Sequence, residues 1–474
     1  MWSVVVLLLL VVGATPGLGL LILPSQNISS RLLAEEGEVE VTFTEEEVGS
    51  PLILTPYVQS GKVEEAQNLS AVRGGPFSDD IPSYSGYFTV NENFNSNMFF
   101  WFFPAENDYE NAPIVLWLQG GPGASSLSGL FYEIGPYHIS ENGSSLLKNP
   151  YSWHKNHSLI FFENPVGTGF SFSNFEGYAQ NEDQVAAQLY SAITQFFTMF
   201  PQLQSLPFFI AGESYAGKYV PALAYTIHKQ NPTAQLKINL QGIAVGNGLS
   251  DPPSQYKYSD LLYQIGLVDT STYIMMQAQE KVISKLLQED KSYDAWSMNL
   301  LTAQDSNTFV SNYNFLKEPE SLDDMFYNLN EFMQQIEVRK AIHVGDTNFS
   351  IINNIVYDVL APNDWATSVR PWLEELIDNY RVLYYSGQLD IIVAYALSVN
   401  MYNKLEFSKA TEYREAKRLL WNVNGRLAGF MKTGGNFTEV LVRNAGHMVP
   451  QDQPEWAFDL INRFTRNKMT EGLN

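Results

Sequence analysis

The chain has 474 residues, of which 45% are hydrophobic and 14% aromatic, so it can bury a sizeable core and is not predominantly disordered. It carries 51 acidic residues against 28 basic ones, and the resulting net charge of −23 repels phosphate, which argues against nucleic-acid binding. Cysteine is absent, which excludes disulfides, a cysteine nucleophile and a thiolate metal site.

The N-terminus has the pattern of a secretory signal. Residues 1–12 are almost wholly apolar, and residues 13–19 are small or turn-forming. We predict residues 1–19 to be a signal peptide that is cleaved after Gly19. A signal anchor is the alternative, because no basic residue precedes the apolar run, but Pro16 and the nearby glycines interrupt that run before it reaches a spanning length. No later segment is apolar enough to cross a bilayer, so we expect no membrane span after cleavage.

Asn-x-Ser/Thr sequons follow the predicted signal at six positions, and Asn231 is excluded because Pro232 follows it. With a signal in front, most of the sequons are expected to carry glycan. The six are Asn27, Asn68, Asn142, Asn156, Asn348 and Asn436. The protein is therefore expected in the secretory pathway, either outside the cell or in the lysosome, and an acidic surface suits an acidic compartment.

Next along the chain, residues 20–50 are polar and acidic and are predicted to be a mobile segment or a short pro-segment. From residue 51 to 250, short apolar blocks that suit buried strands alternate with helical signals, the clearest at residues 182–200. The predicted strands are residues 87–90, 98–103, 113–118, 159–162, 207–211 and 243–245. This alternation predicts an α/β fold with a mostly parallel central sheet and flanking helices.

From residue 251 to 345 the strand signals fade, and stretches such as residues 273–301 predict amphipathic helices. We interpret this region as a helical cap inserted between two strands of the sheet, with an ordinary helical connection as the alternative. Residues 346–474 are predicted to complete the core. Strands resume at residues 381–385 and 437–442, and a last helix covers residues 453–465.

A candidate nucleophile lies where a strand is predicted to end in a tight turn and a helix. Gly212, Glu213, Ser214 and Tyr215 fit the G-x-S-x-G pattern of a nucleophile elbow, but Ala216 occupies the last position and Gly217 follows. Alanine is small enough for the close packing that the elbow needs. A serine that caps a helix after a strand is the structural alternative.

Ser214 needs a base to become nucleophilic, and three of the six histidines follow it in the chain, of which we consider His343 and His447 as candidates. His343 falls in a predicted helix, where a packed histidine is expected. His447 falls in a glycine-bearing loop after a strand, and Asp390 ends a turn after the preceding strand. The order Ser, Asp, His is that of the α/β-hydrolase fold, so we predict a catalytic triad of Ser214, Asp390 and His447.

The oxyanion hole is predicted from a second glycine-rich turn, residues 117–126. In the α/β-hydrolase fold, one donor comes from this early loop and the other from the residue after the nucleophile, which gives the backbone amides of Gly121 and Tyr215. A phosphate-binding loop is the alternative. It is disfavoured because the Lys-Ser/Thr ending is absent and Pro122 has no amide hydrogen.

These motifs together resemble the serine carboxypeptidase family, and they match in order from about residue 50 to the C-terminus. The matching segments are residues 117–126, 133–136, 164–171, 212–221, 246–248, 387–390 and 446–450. Residues 54–57, 99–105 and 387–393 are most similar to the vitellogenic carboxypeptidase-like branch, which includes venom carboxypeptidases.

The resemblance implies four residues that bind the terminal carboxylate of a substrate, namely Gln119, Gly120, Glu133 and Glu213. Gln119 departs from the asparagine that is commoner in the family; it keeps the amide and adds a methylene. Two acids beside a bound carboxylate cannot all be ionised, so a shared proton is expected. A protonated glutamate can then donate a hydrogen bond to the substrate.

The sequence therefore predicts a secreted serine carboxypeptidase that removes C-terminal amino acids from peptides and is favoured at acidic pH. It predicts peptide or protein C-termini as the substrate, and no metal or organic cofactor. An acyltransferase or lyase on the same fold, and a catalytically silent binding or storage glycoprotein, are the alternatives. The sequence leaves open whether the protein is a monomer or a homodimer.

Overall fold

The computed structural model describes residues 43–143, 145–319 and 322–473. The predicted signal peptide, Asn27 and residues 20–42 of the acidic segment lie outside them. The strands of this part of the chain are β1 (Tyr84–Asn91), β2 (Ser96–Phe103), β3 (Ile114–Leu118), β4 (Tyr137–Ile139), β5 (Leu146–Lys148), β6 (Ser158–Phe162), β7 (Phe208–Glu213), β8 (Leu240–Gly246), β9 (Arg381–Gly387), β10 (Leu419–Val423), β11 (Arg426–Gly434) and β12 (Phe437–Val442).

Ten of the described strands form one sheet in the order β1-β2-β6-β3-β7-β8-β9-β12-β11-β10, and β4 and β5 form a separate hairpin. The run from β6 to β12 is parallel at every step, whereas both edges are antiparallel. The central strands are buried along their whole length because helices cover both faces. The predicted α/β fold with a mostly parallel sheet is confirmed.

The helices of the described chain are α1 (Glu45–Val48), α2 (Thr55–Gln59), α3 (Val63–Ser70), α4 (Leu127–Tyr132), α5 (Glu182–Met199), α6 (Ala216–Gln230), α7 (Ser259–Gln264), α8 (Thr270–Gln288), α9 (Ser292–Ser306), α10 (Asp323–Met333), α11 (Ile336–Ala341), α12 (Asn354–Asp364), α13 (Arg370–Asn379), α14 (Tyr395–Tyr402), α15 (Ala410–Glu415), α16 (Val449–Asp452) and α17 (Pro454–Thr465). Among the described helices, none is both long and apolar enough to span a bilayer.

Two apolar clusters sandwich the sheet. One contains Leu116, Ile193 and Val220, so α5 and α6 pack on that face. The other contains Trp117 and Leu460, so α17 packs on the opposite face. Each buried strand sends alternate side chains into the two clusters, because successive residues of a strand point to opposite faces.

A helical region separates β8 from β9. It comprises α7 to α13 and extends to Asn379, beyond the predicted cap boundary at residue 345. The helix expected over residues 273–301 is two helices, because the chain turns at Glu289–Lys291, where Asp290 has φ of 56°. The boundaries at residues 51, 250 and 345 remain predictions.

The acidic segment, at its described end, contains α1, where Val48 is buried.

Candidate active site

Ser214 stands in the turn between β7 and α6, with φ of 63°, a left-handed conformation that is uncommon for a residue with a side chain. Its backbone N–H donates to Gly246 O at 3.0 Å, and its carbonyl accepts from Leu249 N at 3.0 Å. A Cβ on Gly212 would lie 2.5 Å from Leu118 O and 2.8 Å from the Cβ of Ala216. Position 216 must therefore be small, and alanine meets this requirement.

Asp390 and His447 are joined by a hydrogen bond of 3.0 Å between Asp390 Oδ2 and His447 Nδ1. Both residues are almost fully buried, at 2% and 3% exposure. Asp390 also accepts the backbone N–H groups of Ile392 at 2.8 Å and Val393 at 3.2 Å. These donors hold the carboxyl group in place, and its bond to Nδ1 fixes the imidazole ring with Nε2 on the side away from Asp390.

Asn247 is a further partner of the acid that sequence reasoning missed. Its Nδ2 donates to Asp390 Oδ2 at 2.5 Å, and its Oδ1 accepts from Gly387 N at 3.1 Å. Asn247 has φ of 43° and directly follows β8. The Gly-Asn-Gly sequence at residues 246–248 was the available signal, because it marks a left-handed turn at the carboxyl end of a parallel strand.

Ser214 is half-buried, and its hydroxyl forms no hydrogen bond with any other described residue. The link between Ser214 Oγ and His447 Nε2 is therefore not formed in this structure. Catalytic hydrogen bonds of this kind are often long or unaligned without substrate and tighten in the complex. The structure thus joins two of the three predicted triad residues directly and places the third at the end of β7, which β8 separates from β9 in the sheet.

A segment of the helical region, residues 312–315, crosses the loops that carry the acid and the base. His447 N donates to Tyr313 O at 2.6 Å, and the Tyr313 ring lies edge-on to the imidazole, 5.4 Å between centroids. The same segment exchanges backbone hydrogen bonds with the acid loop, from Phe315 N to Leu389 O and from Ile391 N to Asn312 O, both at 3.1 Å. The crossing segment therefore ties the Asp390 loop to the His447 loop.

The other candidate histidine, His343, follows α11 and bonds Ser85 at 3.0 Å, as a packed histidine would.

The glycine-rich loop lies against the elbow. A Cβ on Gly120 would approach Tyr215 N to 2.5 Å and Ser214 Cβ to 2.7 Å, so only glycine permits this contact. Gly121 has φ of 106°. Within the part of the chain that the structure describes, neither Gly121 N nor Tyr215 N donates a hydrogen bond. Two amide donors beside the serine are what a developing oxyanion requires.

Gln119 and Glu213 form a buried pair next to the elbow. Trp117 Nε1 donates to Gln119 Oε1 at 2.9 Å, which fixes the amide orientation, and Gln119 Nε2 donates to Glu213 Oε1 at 2.6 Å. The same Gln119 side chain also acts on Glu133, where its hydrogen bonding opposes the rise in the pKa of that acid. The Gln119 amide therefore lies close to both glutamates.

Glu133 and Glu213 are 1% and 0% exposed, and they face each other within hydrogen-bonding range. Glu213 Oε2 and both Glu133 oxygens receive no hydrogen bond from other groups. Burial raises the pKa of Glu133, and burial followed by the neighbouring charge of Glu133 raises the pKa of Glu213 well above its ordinary value. A proton held between the two carboxyl groups satisfies both, which agrees with the shared proton expected from the sequence.

Comparisons with known proteins agree with this geometry. The model of the serine carboxypeptidase family matches residues 75–467. A venom serine carboxypeptidase from Apis mellifera is 46% identical over 90% of this chain and 92% of its own. A vitellogenic carboxypeptidase from Aedes aegypti is 47% identical over 88% and 90% of the two chains.

A solved structure supports the fold. The prohormone-processing carboxypeptidase from Saccharomyces cerevisiae superposes with a TM-score of 0.74 over 90% of this chain and 96% of its own, at 21% identity. The predicted α/β-hydrolase fold and the predicted family resemblance are both confirmed. With the family model matched along most of its length, this chain belongs to the serine carboxypeptidase family and is a serine-type carboxypeptidase.

Proposed function

We propose that Ser214, His447 and Asp390 act as one catalytic unit. The observation that carries the proposal is the buried hydrogen bond between Asp390 Oδ2 and His447 Nδ1, beside a serine in the strained turn of an elbow. Asp390 fixes the imidazole tautomer and stabilises the imidazolium ion that forms during reaction. His447 Nε2 then serves as the base for Ser214.

In the first half of the reaction, Ser214 Oγ attacks the carbonyl carbon of the last peptide bond, and its proton passes to His447 Nε2. The carbonyl oxygen becomes an oxyanion that accepts hydrogen bonds from Gly121 N and Tyr215 N. The intermediate then collapses, the C–N bond breaks, and His447 donates its proton to the departing amino acid. Water attacks the acyl-enzyme in the second half, with His447 again as the base.

We also propose that Gln119, Gly120, Glu133 and Glu213 bind the terminal carboxylate of the substrate. The Gln119 Nε2 amide, which lies beside both glutamates, and the proton shared by the two glutamates are the donors for it. Gly120 contributes space, because a side chain there would meet the elbow. This arrangement accounts for selectivity for a free C-terminus.

The carboxylate site predicts that activity on free-acid peptides falls as pH rises through the raised pKa values of Glu133 and Glu213, that of Glu133 being about 8. The raised pKa values of Glu133 and Glu213 mean that their shared proton is present at low pH and is lost as pH rises through them, so KM for a free-acid peptide should then increase. His447 opposes this trend, because it must be neutral to act as a base. The two ionisations give a bell-shaped pH profile of kcat/KM. A peptide amide should keep only the acidic limb.

Glu213→Gln tests this expectation, because an amide donates a hydrogen bond without needing a proton. The KM profile for a blocked dipeptide should shift to higher pH, while the profile for its C-terminal amide stays the same. Glu439→Gln is the matched control, since Glu439 is also a buried acid but bonds Tyr413 instead. Identical profiles for wild type and Glu213→Gln would remove Glu213 from carboxylate recognition. A panel of such dipeptides also reveals the preferred C-terminal residue.

We propose that the protein is secreted or lysosomal and N-glycosylated. The predicted signal supports this, as does the name of the venom relative, since venom is a secreted fluid. Among the described sequons, Asn68, Asn142, Asn348 and Asn436 are exposed, whereas Asn156 is partly buried. Asn156 also donates its Nδ2 group to Asn462 Oδ1.

Expression in a eukaryotic secretory host should therefore yield a product that is heavier than its sequence mass and shrinks with glycosidase. Peptide mapping should find glycan at Asn68, Asn142, Asn348 and Asn436 at higher occupancy than at Asn156. Replacing the sequon asparagines by glutamine, one at a time, assigns each shift to its site. An unglycosylated product that retains Met1 would refute the secretory assignment.

A further inference from the structure

Helix α12 (Asn354–Asp364) touches both loops that carry the proposed oxyanion donors. At its N-terminal end, Asn353 N donates to Gly123 O at 2.9 Å, and Ser125 N donates to Ile351 O at 2.8 Å. Asn353 also caps the helix, with its Oδ1 accepting from Ile355 N at 2.9 Å. A Cβ on Gly123 would lie 2.8 Å from Asn353 O. The glycine-rich loop is therefore held directly against the start of α12.

At the other end of α12, Asp364 holds the elbow. Its Oδ2 accepts from the Tyr215 hydroxyl at 2.8 Å and from Lys218 Nζ at 2.7 Å. Lys218 Nζ also donates to Asp364 O. Lys218 and Asp364 are 0% and 1% exposed, so this is a fully buried ion pair. Tyr215 is the residue that follows the nucleophile, and Lys218 lies in the first turn of α6.

Glu182, the first residue of α5, completes this buried cluster. Its two oxygens receive no hydrogen bond from other groups, and it lies within hydrogen-bonding range of Asp364. Burial, and then the negative charge of Asp364, raises the pKa of Glu182 well above its ordinary value, which favours the neutral acid. Asp364 therefore accepts from Tyr215 and Lys218 and lies beside Glu182. A buried hydrogen-bond network of this kind favours a single geometry.

We propose that α12 is a brace that sets the spacing of the two oxyanion donors, with Asp364 and the Tyr215 side chain as positioning residues. This inference rests on the proposed role of the Tyr215 backbone amide. The Tyr215 side chain and amide share one Cα, so anchoring the hydroxyl on Asp364 fixes the direction of the N–H. Because the helix that holds the hydroxyl also holds the Gly123 loop, one rigid element aligns both donors. Stabilisation of an oxyanion depends on such preorganisation to within about 1 Å.

Tyr215→Phe is the primary test, because it removes only the hydroxyl that bonds Asp364. We expect kcat to fall about tenfold for both a blocked dipeptide and a matched ester, while KM changes less than about twofold, because the donors act on the transition state. Tyr413→Phe is the control. It removes a buried hydroxyl that bonds Glu439 at 2.7 Å, and its kcat should equal that of wild type. Asp364→Asn should lower kcat at least as much as Tyr215→Phe, and the double variant should be no slower than the slower single variant.

The outcomes distinguish failure of the brace proposal from failure of the proposed catalytic function. If Ser214→Ala retained turnover, the catalytic assignment itself would fail. If Ser214→Ala is inactive, and a folded Tyr215→Phe protein has the same kcat as Tyr413→Phe, only the proposal that α12 is a brace is wrong. Losses that multiply in the double variant would show that Asp364 does not act through Tyr215. If Asp364→Asn does not fold, the comparison of Tyr215→Phe with Tyr413→Phe decides.

Discussion

Ser214→Ala should lower kcat by about 10⁶-fold and abolish covalent labelling by a fluorophosphonate probe. The loss is this large because no other group supplies the nucleophile, so only binding and the oxyanion donors remain to accelerate the reaction. KM should change little, since Ser214 forms no hydrogen bond that helps to hold the ground state. Labelling followed by mass mapping, together with steady-state kinetics, provides the measurement.

Ser70→Ala is the matched control for this variant. Ser70 is a fully buried serine in α3 whose hydroxyl donates to Gln67 O at 3.0 Å, and its loss should leave labelling and kcat unchanged. A folded Ser214→Ala protein that hydrolyses peptides at the wild-type rate would show that the nucleophile lies elsewhere. Circular dichroism and thermal unfolding of both variants establish that any loss is chemical.

Asp390→Asn should lower kcat by about 10⁴-fold, because the amide favours the wrong imidazole tautomer and cannot stabilise the imidazolium ion. The variant should fold, since the asparagine oxygen can still accept the backbone N–H of Ile392, which bonds Oδ1 of Asp390. Introducing the same change into Ser214→Ala should lower kcat hardly any further, because the effects of residues that act as a unit are not additive.

The control for the acid is Asp459→Asn. Asp459 accepts from Trp421 Nε1 at 2.8 Å and from Arg463 at 2.7 Å on α17, and it takes no part in the proposed chemistry. Its loss should affect the unfolding temperature and not kcat. If Asp390→Asn retained more than a tenth of wild-type kcat, another residue would have to orient His447.

The central strands could be predicted because each is a short, uninterrupted apolar block, as burial on both faces demands. The β10–β11 hairpin was missed, since an edge pair has an exposed face and a weaker pattern; β10 carries the exposed Leu420 between two partly or fully buried residues. The break between α8 and α9 was missed because no glycine or proline marks residues 289–291.

Ser214, Asp390 and His447 could be proposed from the sequence because each has a local context, at the end of a strand and in a fixed order along the chain. Asp364 and Lys218 have no such context. They are 146 positions apart in the sequence, and nothing near Asp364 distinguishes it from an ordinary residue at a helix end. Their partnership arises only from the packing of α12 on α6, which single-sequence patterns do not encode.

The crossing segment at residues 312–315 has a consequence for protein engineering. Because it hydrogen-bonds to both the Asp390 loop and the His447 loop, the helical region cannot be exchanged as an independent module. A chimaera that takes its helical region from a relative must also take a segment that matches these two loops, or the acid and the base lose their common support. Directed evolution of this enzyme therefore has less freedom at residues 312–315 than at positions of the helical region that contact neither loop.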